Sequence, residues 1–225
     1  MSEQHLEALA EFAAGAGHEI NNPLAIISGH VQLLLAQVND PQHRRSLAVI
    51  AAQVNRAYEM IADIRLFARP PKPEFMQFDL YAKIDELVEK QIPEFLPPGI
   101  TLQWKHDEPA LILESDPVQI SVALIALVRN AIESLGKKGA ITLEVKQDKE
   151  TSQIEIRILD DGPGIPAEIR EMIFSPFFSG RQAGRGLGFG LPKAWRIAKQ
   201  CGGSLELECG EPANTCFLLK LPLFA

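Results

Sequence analysis

The stretch GHEINNPLAI, Gly17–Ile26, places four polar residues and a proline inside a segment whose flanks are apolar and helical. On both sides of it, apolar residues recur at steps of three and four, which is the seam of a packed amphipathic helix. The seam slips once, between Ile20 and Leu24, where Pro23 lacks the N–H that would bond to the carbonyl of Glu19. The sequence therefore predicts one long helix that is loosened at the proline. Its seam positions are Leu6, Leu9, Ala13, Ala16, Ile20, Leu24, Ile27, Val31, Leu34 and Val38.

A second seam of the same kind follows the segment VNDPQ, which is typical of a turn. Two such helices joined by a short turn form an antiparallel hairpin. A single hairpin has a seam but little else to bury, so we expect two hairpins to pair into a four-helix bundle. The sequence therefore predicts a homodimer. The second seam consists of Leu47, Ile50, Val54, Ala57, Ile61 and Ile64.

His18 lies on the helix face opposite the first seam. It is two residues from both Ala16 and Ile20, which corresponds to about 200° around an α-helix. We therefore expect its imidazole to project into water. An exposed histidine without other motifs is usually just solvated, so this position alone does not assign a function.

Composition and charge exclude some functional classes for this chain. The chain has 225 residues and a formal net charge of -7, which argues against a nucleic-acid binder because such a protein needs a basic face. No apolar run approaches the roughly 20 residues of a membrane helix, and the N-terminus lacks a signal-peptide pattern. The sequence predicts a soluble, cytoplasmic chain without a membrane segment. Three prolines in RPPKPEF, residues 69–75, predict a stiff linker between two domains.

Beyond the linker, helix and strand patterns interleave without regular βαβ spacing. FDLYAKIDELVEKQ is predicted to be a helix capped by Asp79, and DPVQISVALIALVRNAIESL a long buried helix capped by Asp116. The strand patterns are ITLQWKH, ALILES, ITLEVKQ, QIEIRILDD, SLELEC and TCFLLKLPL. We expect a mixed sheet covered by helices on one face.

Three motifs in this second half carry candidate chemistry. DDGPGIP, which starts at Asp160, places a carboxylate and two glycines at a strand end, where the acid could accept a hydrogen bond from an exocyclic amine; alone it is equally typical of a turn. GRGLGFGL, which starts at Gly184, leads into a helix and offers N–H groups to phosphates, but it lacks the P-loop ending. Asn130 lies in an apolar helix, where an amide either satisfies neighbouring backbone or provides an oxygen ligand for Mg²⁺.

In this order, LVRNAIESL, DDGPGIP, IFSPFF and GRGLGFGL resemble the N, G1, F and G2 boxes of sensor histidine kinases of two-component systems, and HEINNPL resembles their H box, in its nitrogen-regulator-like form. The resemblance covers nearly the whole chain. It implies an α+β multidomain protein, in which a hairpin forming a dimeric four-helix bundle precedes a Bergerat-type α/β sandwich related to gyrase-type ATPases. The implied domains are residues 1–69 for dimerisation and histidine phosphotransfer, 70–77 for the linker and 78–225 for ATP binding.

The resemblance also implies roles for the H-box residues. His18 would accept the γ-phosphoryl group of ATP and pass it to an aspartate in the receiver domain of a response regulator. Glu19 would take or orient the imidazole proton. Asn22 would orient water for dephosphorylation of that partner, and Pro23 would permit the helix to bend between kinase and phosphatase states.

For the ATP site, the resemblance implies an adenine-reading acid, Asp160, with Gly162 and Gly164 admitting the ring. Thr215 would share a water network with that acid, although threonine in a strand needs no such role. Asn130 would bind Mg²⁺. A short lid is expected between Phe174 and Gly186, and its two arginines either steady the triphosphate or are simply solvated. The expected lid and phosphate-side residues are Arg181, Arg185, Gly186, Leu187, Gly188 and Gly190.

Two departures from the family pattern bear on activity. Ala126 stands where an asparagine is common and where gyrase-type relatives carry a hydrolytic glutamate, which argues against a self-contained ATP hydrolase. Asp161 stands where asparagine is common, and its charge could weaken ATP binding or shift the pKa of Asp160. The alternatives that remain are a degenerate kinase acting as a phosphatase or docking scaffold, and a serine kinase or ATPase of the same fold.

Overall fold

The computed structural model describes residues 3–68, 70–106, 108–148, 151–176, 178, 188–209 and 214–224; the side chains of residues 3–14, 16, 18, 68 and 209 lie outside this description. The chain divides into two compact units, Met1–Pro71 and Lys72–Ala225. The first unit is helical, and the second combines helices with two sheets.

The first unit is the predicted helical hairpin. Helix α1 spans Glu3–Gln37 and continues through Pro23, and α2 spans Pro41–Ala68. Asp40 begins α2, because its Oδ1 accepts the N–H groups of Gln42 and His43 at 2.9 Å each. The Arg44 guanidinium donates to the carbonyls of Leu35 and Val38, which satisfies the last turn of α1.

The predicted seam is only half buried within this one hairpin. Val31 and Val54 are 5% exposed and form its centre. Ile20, Ile27 and Leu34, at seven-residue intervals, remain 43–45% exposed. Since residues seven apart share one face of a helix, α1 presents a continuous apolar stripe that its own α2 does not cover. This stripe is the surface that a paired hairpin would bury.

The second unit is built on a five-stranded sheet of order β2-β4-β5-β7-β6. Strand β2 is parallel to β4 and the other neighbours are antiparallel, so the sheet is mixed, as predicted. Helices α4 and α5 pack against it and enclose the apolar core. The strands are β1 Met76–Asp79, β2 Ile100–Trp104, β3 Ile112–Ser115, β4 Gly139–Asp148, β5 Gln153–Asp160, β6 Ser204–Cys209 and β7 Thr215–Pro222; the helices are α3 Leu80–Glu86, α4 Pro117–Leu135 and α5 Gly190–Gln200.

Both predicted helix caps in this unit are confirmed. Asp79 begins α3, and its carboxylate accepts from the N–H of Tyr81. Asp116 begins α4, and its Oδ1 accepts from Val118 and Gln119 at 2.9 and 3.0 Å. Its other oxygen accepts the Glu74 N–H at 3.0 Å, which ties the entering chain to the start of α4.

Helix α4 is the largely buried helix that the sequence predicts. Among the described helices, it is long and apolar enough to cross a bilayer by length and composition, and 56% of that window is buried inside the unit. A core helix of a folded domain passes the same test, and Leu124, Leu127 and Val128 are at most 1% exposed.

Two features were not predicted. Strands β1 and β3 pair with each other in a separate two-stranded sheet, so Met76 and Gln77, which the sequence analysis assigns to the linker, belong to β1. Helix α3 continues as a π-helical turn, Leu87–Gln91, and a 3₁₀ turn, Ile92–Glu94. Neither feature leaves a periodic trace in the sequence, because each depends on packing between distant segments.

A polar aromatic cluster closes the edge of the sheet beside α3. The His106 ring stacks on Tyr81, with centroids 4.4 Å apart. Its Nδ1 faces the carbonyl of Glu108 at 2.8 Å, and its Nε2 faces Asp85 at 3.3 Å. Asp85 also accepts from the Trp104 indole at 2.7 Å. Because both ring nitrogens face acceptors, the Glu108 carbonyl and the Asp85 carboxylate raise the pKa of His106 despite some desolvation.

This raised pKa predicts that the second unit loses stability as the pH rises. A histidine with a folded-state pKa above its unfolded value, about 6.5, contributes fully below that value and loses its contribution as the pH passes the folded pKa. We expect the melting temperature of the wild type, relative to His106→Phe, to fall across this window in calorimetry. His30→Phe, on the exposed surface of α1, is the control. A difference in melting temperature between wild type and His106→Phe that stays the same at every pH would contradict the prediction.

Candidate functional site

The inward-facing row of β5 is apolar until its last residue. Ile154, Ile156 and Ile158 are at most 1% exposed, and the strand then ends at Asp160, which is 2% exposed. An ionisable carboxylate at the end of an apolar row is costly unless neighbouring groups compensate it. The site is therefore best described from this carboxylate outward.

Gly162 provides the backbone partner of that acid. Its N–H donates to Oδ1 of Asp160 at 3.1 Å. A Cβ atom added at Gly162 would lie 2.5 Å from that oxygen and 2.7 Å from Oγ of Ser134. Only glycine fits between the acid and α4 at this point. Gly164 has φ +76°, a left-handed conformation that also favours glycine.

Thr215 and Ser134 complete the surroundings of Asp160. Thr215 is its partner in the register of β5 and β7 and is 3% exposed, so the structure brings these two predicted residues together. Burial raises the pKa of Asp160, whereas the Gly162 N–H and the nearby Ser134 and Thr215 hydroxyls favour the anion. Asp161 adds to the rise through charge repulsion; the sequence analysis expected a shift of this pKa without giving its direction.

Two buried oxygen atoms at this point have no hydrogen-bond partner of ordinary geometry among the described residues. They are Oδ2 of Asp160 and Oγ1 of Thr215. Buried polar atoms are normally paired, so unpaired ones indicate a site for a ligand or an ordered water. A carboxylate oxygen accepts, and a hydroxyl both donates and accepts, which matches an amino-substituted heterocycle such as adenine.

Helix α4 contains both Ser134, which lies beside Asp160, and Asn130, the predicted metal ligand. Asn130 and Ser134 are four residues apart and therefore share one face of the helix. Asn130 is half-buried, and its carboxamide oxygen suits Mg²⁺, a hard cation that accepts few protein ligands. Ser134 was missed by the sequence analysis, although its four-residue spacing from Asn130 in LVRNAIESL could have revealed it.

Asp161 has a structural role that its sequence position does not reveal. Its Oδ1 accepts the Ala140 N–H at 2.7 Å, and its own N–H donates to the Ala140 carbonyl at 3.2 Å. The close approach requires Gly139, because a Cβ there would lie 2.6 Å from Asp161 Oδ1. This acid fastens the start of β4 to the loop after β5.

The glycine-rich segment is described only at its two ends. Gly188, at φ +71°, lies so close to the backbone of Phe178 that a Cβ would clash with it. Gly190 begins α5, and nothing lies within 4 Å of its added Cβ. The predicted phosphate-side residues Arg181, Arg185, Gly186 and Leu187 lie outside the described residues.

The H-box residues lie in the middle of α1. Glu19 and Asn22 are exposed, and Gly17 is buried against α2. His18 is helical, and its side chain lies outside the described side chains. The structure thus places an exposed acid and an exposed amide on the turn that contains His18.

Two family comparisons match this chain. Residues 8–72 match the His Kinase A (phospho-acceptor) domain. Residues 115–225 match the histidine kinase-, DNA gyrase B- and HSP90-like ATPase family. Together they include the H-box turn and the surroundings of Asp160.

Individual proteins agree with these families. The chain is 31% identical to the sensory histidine kinase/phosphatase NtrB of Klebsiella oxytoca over 98% of its own length and 64% of that protein. It is 28% identical to the signal transduction histidine-protein kinase AtoS of Escherichia coli, over 98% of this chain and 36% of AtoS. The histidine kinase ThkA, solved in complex with the response regulator protein TrrA, is 28% identical with a TM-score of 0.66, over 98% of this chain and 63% of that one. The chain therefore spans between about one third and two thirds of these relatives.

The burial of Asp160 predicts opposite effects on stability and binding. Because the folded state raises the pKa of this carboxyl, its ionisation at neutral pH opposes folding, and Asp160→Asn removes that cost. We expect a higher melting temperature, by roughly 2–4 °C for each kcal/mol regained. The amide replaces one of the two acceptor oxygens with an NH2 donor and removes the negative charge, so we expect the Kd of a non-hydrolysable ATP analogue to rise by about tenfold or more, measured calorimetrically.

Asp161→Asn is the matched control, because it neutralises the adjacent acid but retains an oxygen for the Ala140 N–H. We expect it to change nucleotide affinity far less. Equal loss of binding in both variants would assign the effect to local charge instead of to the Asp160 oxygen.

Proposed function

The chain belongs to the sensor histidine kinases of two-component systems, and from that membership we propose that it phosphorylates its own His18 with ATP and passes the phosphoryl group to an aspartate of a response regulator. The observation that carries the proposal is the buried Asp160 carboxylate, with an unpaired oxygen beside Thr215 and Gly162. We assign residues 1–69 to dimerisation and phosphotransfer, 70–77 to the linker and 78–225 to ATP binding. The boundary between the two compact units, after Pro71, falls within that linker.

The transfer to His18 is a substitution at phosphorus. A neutral imidazole nitrogen of His18 attacks the γ-phosphorus of ATP, the bond from that phosphorus to the β,γ-bridging oxygen breaks, and ADP leaves with the electron pair. The other imidazole nitrogen carries a proton, and Glu19 takes or orients it. The exposure of Glu19 on the adjacent position supports this role.

The ATP domain supplies position and charge. In the proposal, Asp160 and Thr215 bind the adenine edge, and Gly162 and Gly164 leave room for the ring. From the family resemblance we assign the binding of the triphosphate to Arg181, Arg185, Gly186, Leu187, Gly188 and Gly190. Asn130 holds Mg²⁺, which when bound neutralises charge on the phosphates. The half-buried carboxamide of Asn130, one turn from Ser134 on the same helix face, supports this assignment.

The proposed partner is the receiver domain of a response regulator, in the cytoplasm. Asn22 is exposed one helical turn after His18, so its amide is available to orient a water molecule for hydrolysis of the phosphorylated partner. The chain would then also act as a phosphatase of its partner. This part of the proposal draws on the similarity to NtrB, which is named as a kinase/phosphatase.

The active form in this proposal is a homodimer. The stripe of Ile20, Ile27 and Leu34 is 43–45% exposed in a single hairpin, and Ile50 of α2 is 44% exposed. Pairing with a second copy buries these seam residues in a four-helix bundle. The stripe follows the seven-residue spacing that such packing requires.

One observation favours the alternative of a degenerate kinase that acts as a phosphatase or docking scaffold. Ala126, one turn before Asn130, has no polar group and is 7% exposed. If the missing amide is essential, the chain would bind nucleotide without transferring its phosphate. Phosphorylation of the wild type decides between the two functions.

We predict that incubation with γ-labelled ATP and Mg²⁺ labels the wild type, and that His18→Ala abolishes the label. The label should be acid-labile and base-stable, because a phosphoramidate bond is hydrolysed in acid. His30→Ala, which changes an exposed histidine of the same helix, should be labelled normally. An acid-stable label would indicate a serine kinase, and no label on the wild type together with nucleotide binding would indicate a degenerate kinase.

We also predict that Ile27→Glu converts the dimer into a monomer, because a charge in the seam must be buried on pairing. Sedimentation velocity measures the change. Ile26→Glu is the control, since Ile26 is 63% exposed and lies outside the seven-residue stripe. A monomeric wild type, or dissociation of both variants alike, would contradict the proposed interface.

A further inference from the structure

Two residues of α1, Gly17 and Asn21, hold the turn that contains His18 against α2. These residues are four apart, so both lie on the face of α1 that meets α2. Gly17 is buried, and a Cβ added there would lie 3.2 Å from Cγ2 of Ile61 and 3.7 Å from Cδ of Arg65. The two helix backbones therefore approach each other closely at this turn.

Asn21 makes the second contact. The hydroxyl of Tyr58 on α2 donates to the main-chain carbonyl of Asn21 across the hairpin, at 3.4 Å. The side-chain Oδ1 of Asn21 is buried and has no hydrogen-bond partner among the described residues. A buried unpaired amide oxygen opposes folding, so the hydrogen bond that holds Asn21 to α2 in the described structure is the one through its main-chain carbonyl. None of the roles proposed above uses Asn21.

The residues of α2 that meet this turn also share one helix face. Tyr58, Ile61 and Arg65 are separated by steps of three and four and therefore form one face of that helix. Tyr58 meets Asn21, whereas Ile61 and Arg65 meet Gly17, as expected for antiparallel helices. The contacts thus fix the rotation of the turn about the axis of α1 and its position along α2.

Such a restraint matters because Pro23 weakens the helix at this point. Pro23 has no N–H, so the carbonyl of Glu19 loses its partner in the helical ladder. His18 and Asn22 each follow a contact residue by one position, about 100° around the helix. Any rotation of the Gly17–Asn21 face therefore rotates the His18–Asn22 face by the same angle.

We propose that Tyr58, Asn21 and Gly17 are positioning residues that set the orientation of the phosphoacceptor turn. The inference rests on the proposed function of His18. The Tyr58 hydroxyl holds the loosened turn through the Asn21 carbonyl, and the missing side chain of Gly17 sets the distance between the helices. Neither group touches a reacting atom; each acts through the direction in which His18 is presented.

Tyr58→Phe is the decisive variant, because it removes the hydroxyl and keeps the ring. Displacement of a reacting group by a fraction of an ångström slows transfer strongly, so we expect kcat for autophosphorylation to fall by about tenfold while KM for ATP stays unchanged. The other tyrosine, Tyr81, lies in the second unit, and Tyr81→Phe is the matched control. Dimerisation and melting temperature should remain those of the wild type.

A second pair of variants tests the close approach at Gly17. Gly17→Ala introduces a methyl group against Ile61 and should lower kcat in the same way. Ile61→Ala in that background removes the opposing methyl groups and should restore part of the rate. Restoration would not occur if Gly17→Ala acted only by general destabilisation.

The outcomes distinguish this inference from the proposed function. If the wild type is phosphorylated and Tyr58→Phe has the same kcat, the positioning role is refuted. It is also refuted if Tyr58→Phe raises KM for ATP or dissociates the dimer. If the wild type is not phosphorylated, the proposed function fails, and the ¹⁵N resonances of the His18 imidazole still test the restraint. A change of these resonances in Tyr58→Phe, absent in Tyr81→Phe, supports the restraint, and identical spectra overturn it.

Discussion

The burial of the Asp160 carboxylate is the constraint on which the ATP-binding half depends. A charged group that is 2% exposed opposes folding unless several elements supply compensating dipoles. Here β5 ends at the acid, the following loop returns a glycine N–H, α4 brings Ser134 and β7 brings Thr215. Three segments that are distant in sequence, α4, the end of β5 with its following loop, and β7, must meet within a few ångströms. Among the described residues the compensation is incomplete, because Oδ2 of Asp160 has no partner there and remains an acceptor for the hydrogen-bond donor of the proposed ligand.

The two units reach stability by different means. The α/β unit has a closed core between one face of the sheet and the helices, and helix caps at Asp79 and Asp116 join the periphery to it. The hairpin buries only the centre of its seam and leaves three isoleucine and leucine positions of α1 about half exposed. Its remaining apolar surface is useful only in association with another copy. In the proposed dimer, the half that contains His18 is thus the half whose packing depends on assembly.

Local signals made much of the structure predictable. The caps at Asp79 and Asp116 act over three residues, and strand alternation in ITLEVKQ and QIEIRILDD is equally local, so both could be read from the sequence. The pairing of Asp160 with Thr215 was anticipated only through family resemblance, since register across 55 residues leaves no local trace. The separate β1–β3 sheet and the π-helical turn at Leu87–Gln91 depend on tertiary packing and were not predicted. Asp161 was interpreted through its charge, whereas its main contact is with the backbone of Ala140.

The spacing of residues along helix α4 sets the distances between the proposed site residues. Ala126, Asn130 and Ser134 occur every fourth residue on one side, so each is about 6 Å from the next along the axis. Ser134 lies beside Asp160, the proposed adenine-binding acid, so the proposed Mg²⁺ ligand Asn130 is one turn from it and Ala126 is two turns from it. The resemblance to gyrase-type ATPases implies a hydrolytic glutamate at position 126, and the buried methyl group of Ala126 provides neither a base nor a hydrogen bond. The proposed phosphoryl transfer therefore needs a nucleophile from another part of the protein. In the proposed function this nucleophile is His18 of the helical unit, so the same alanine that argues against an ATPase is compatible with a kinase.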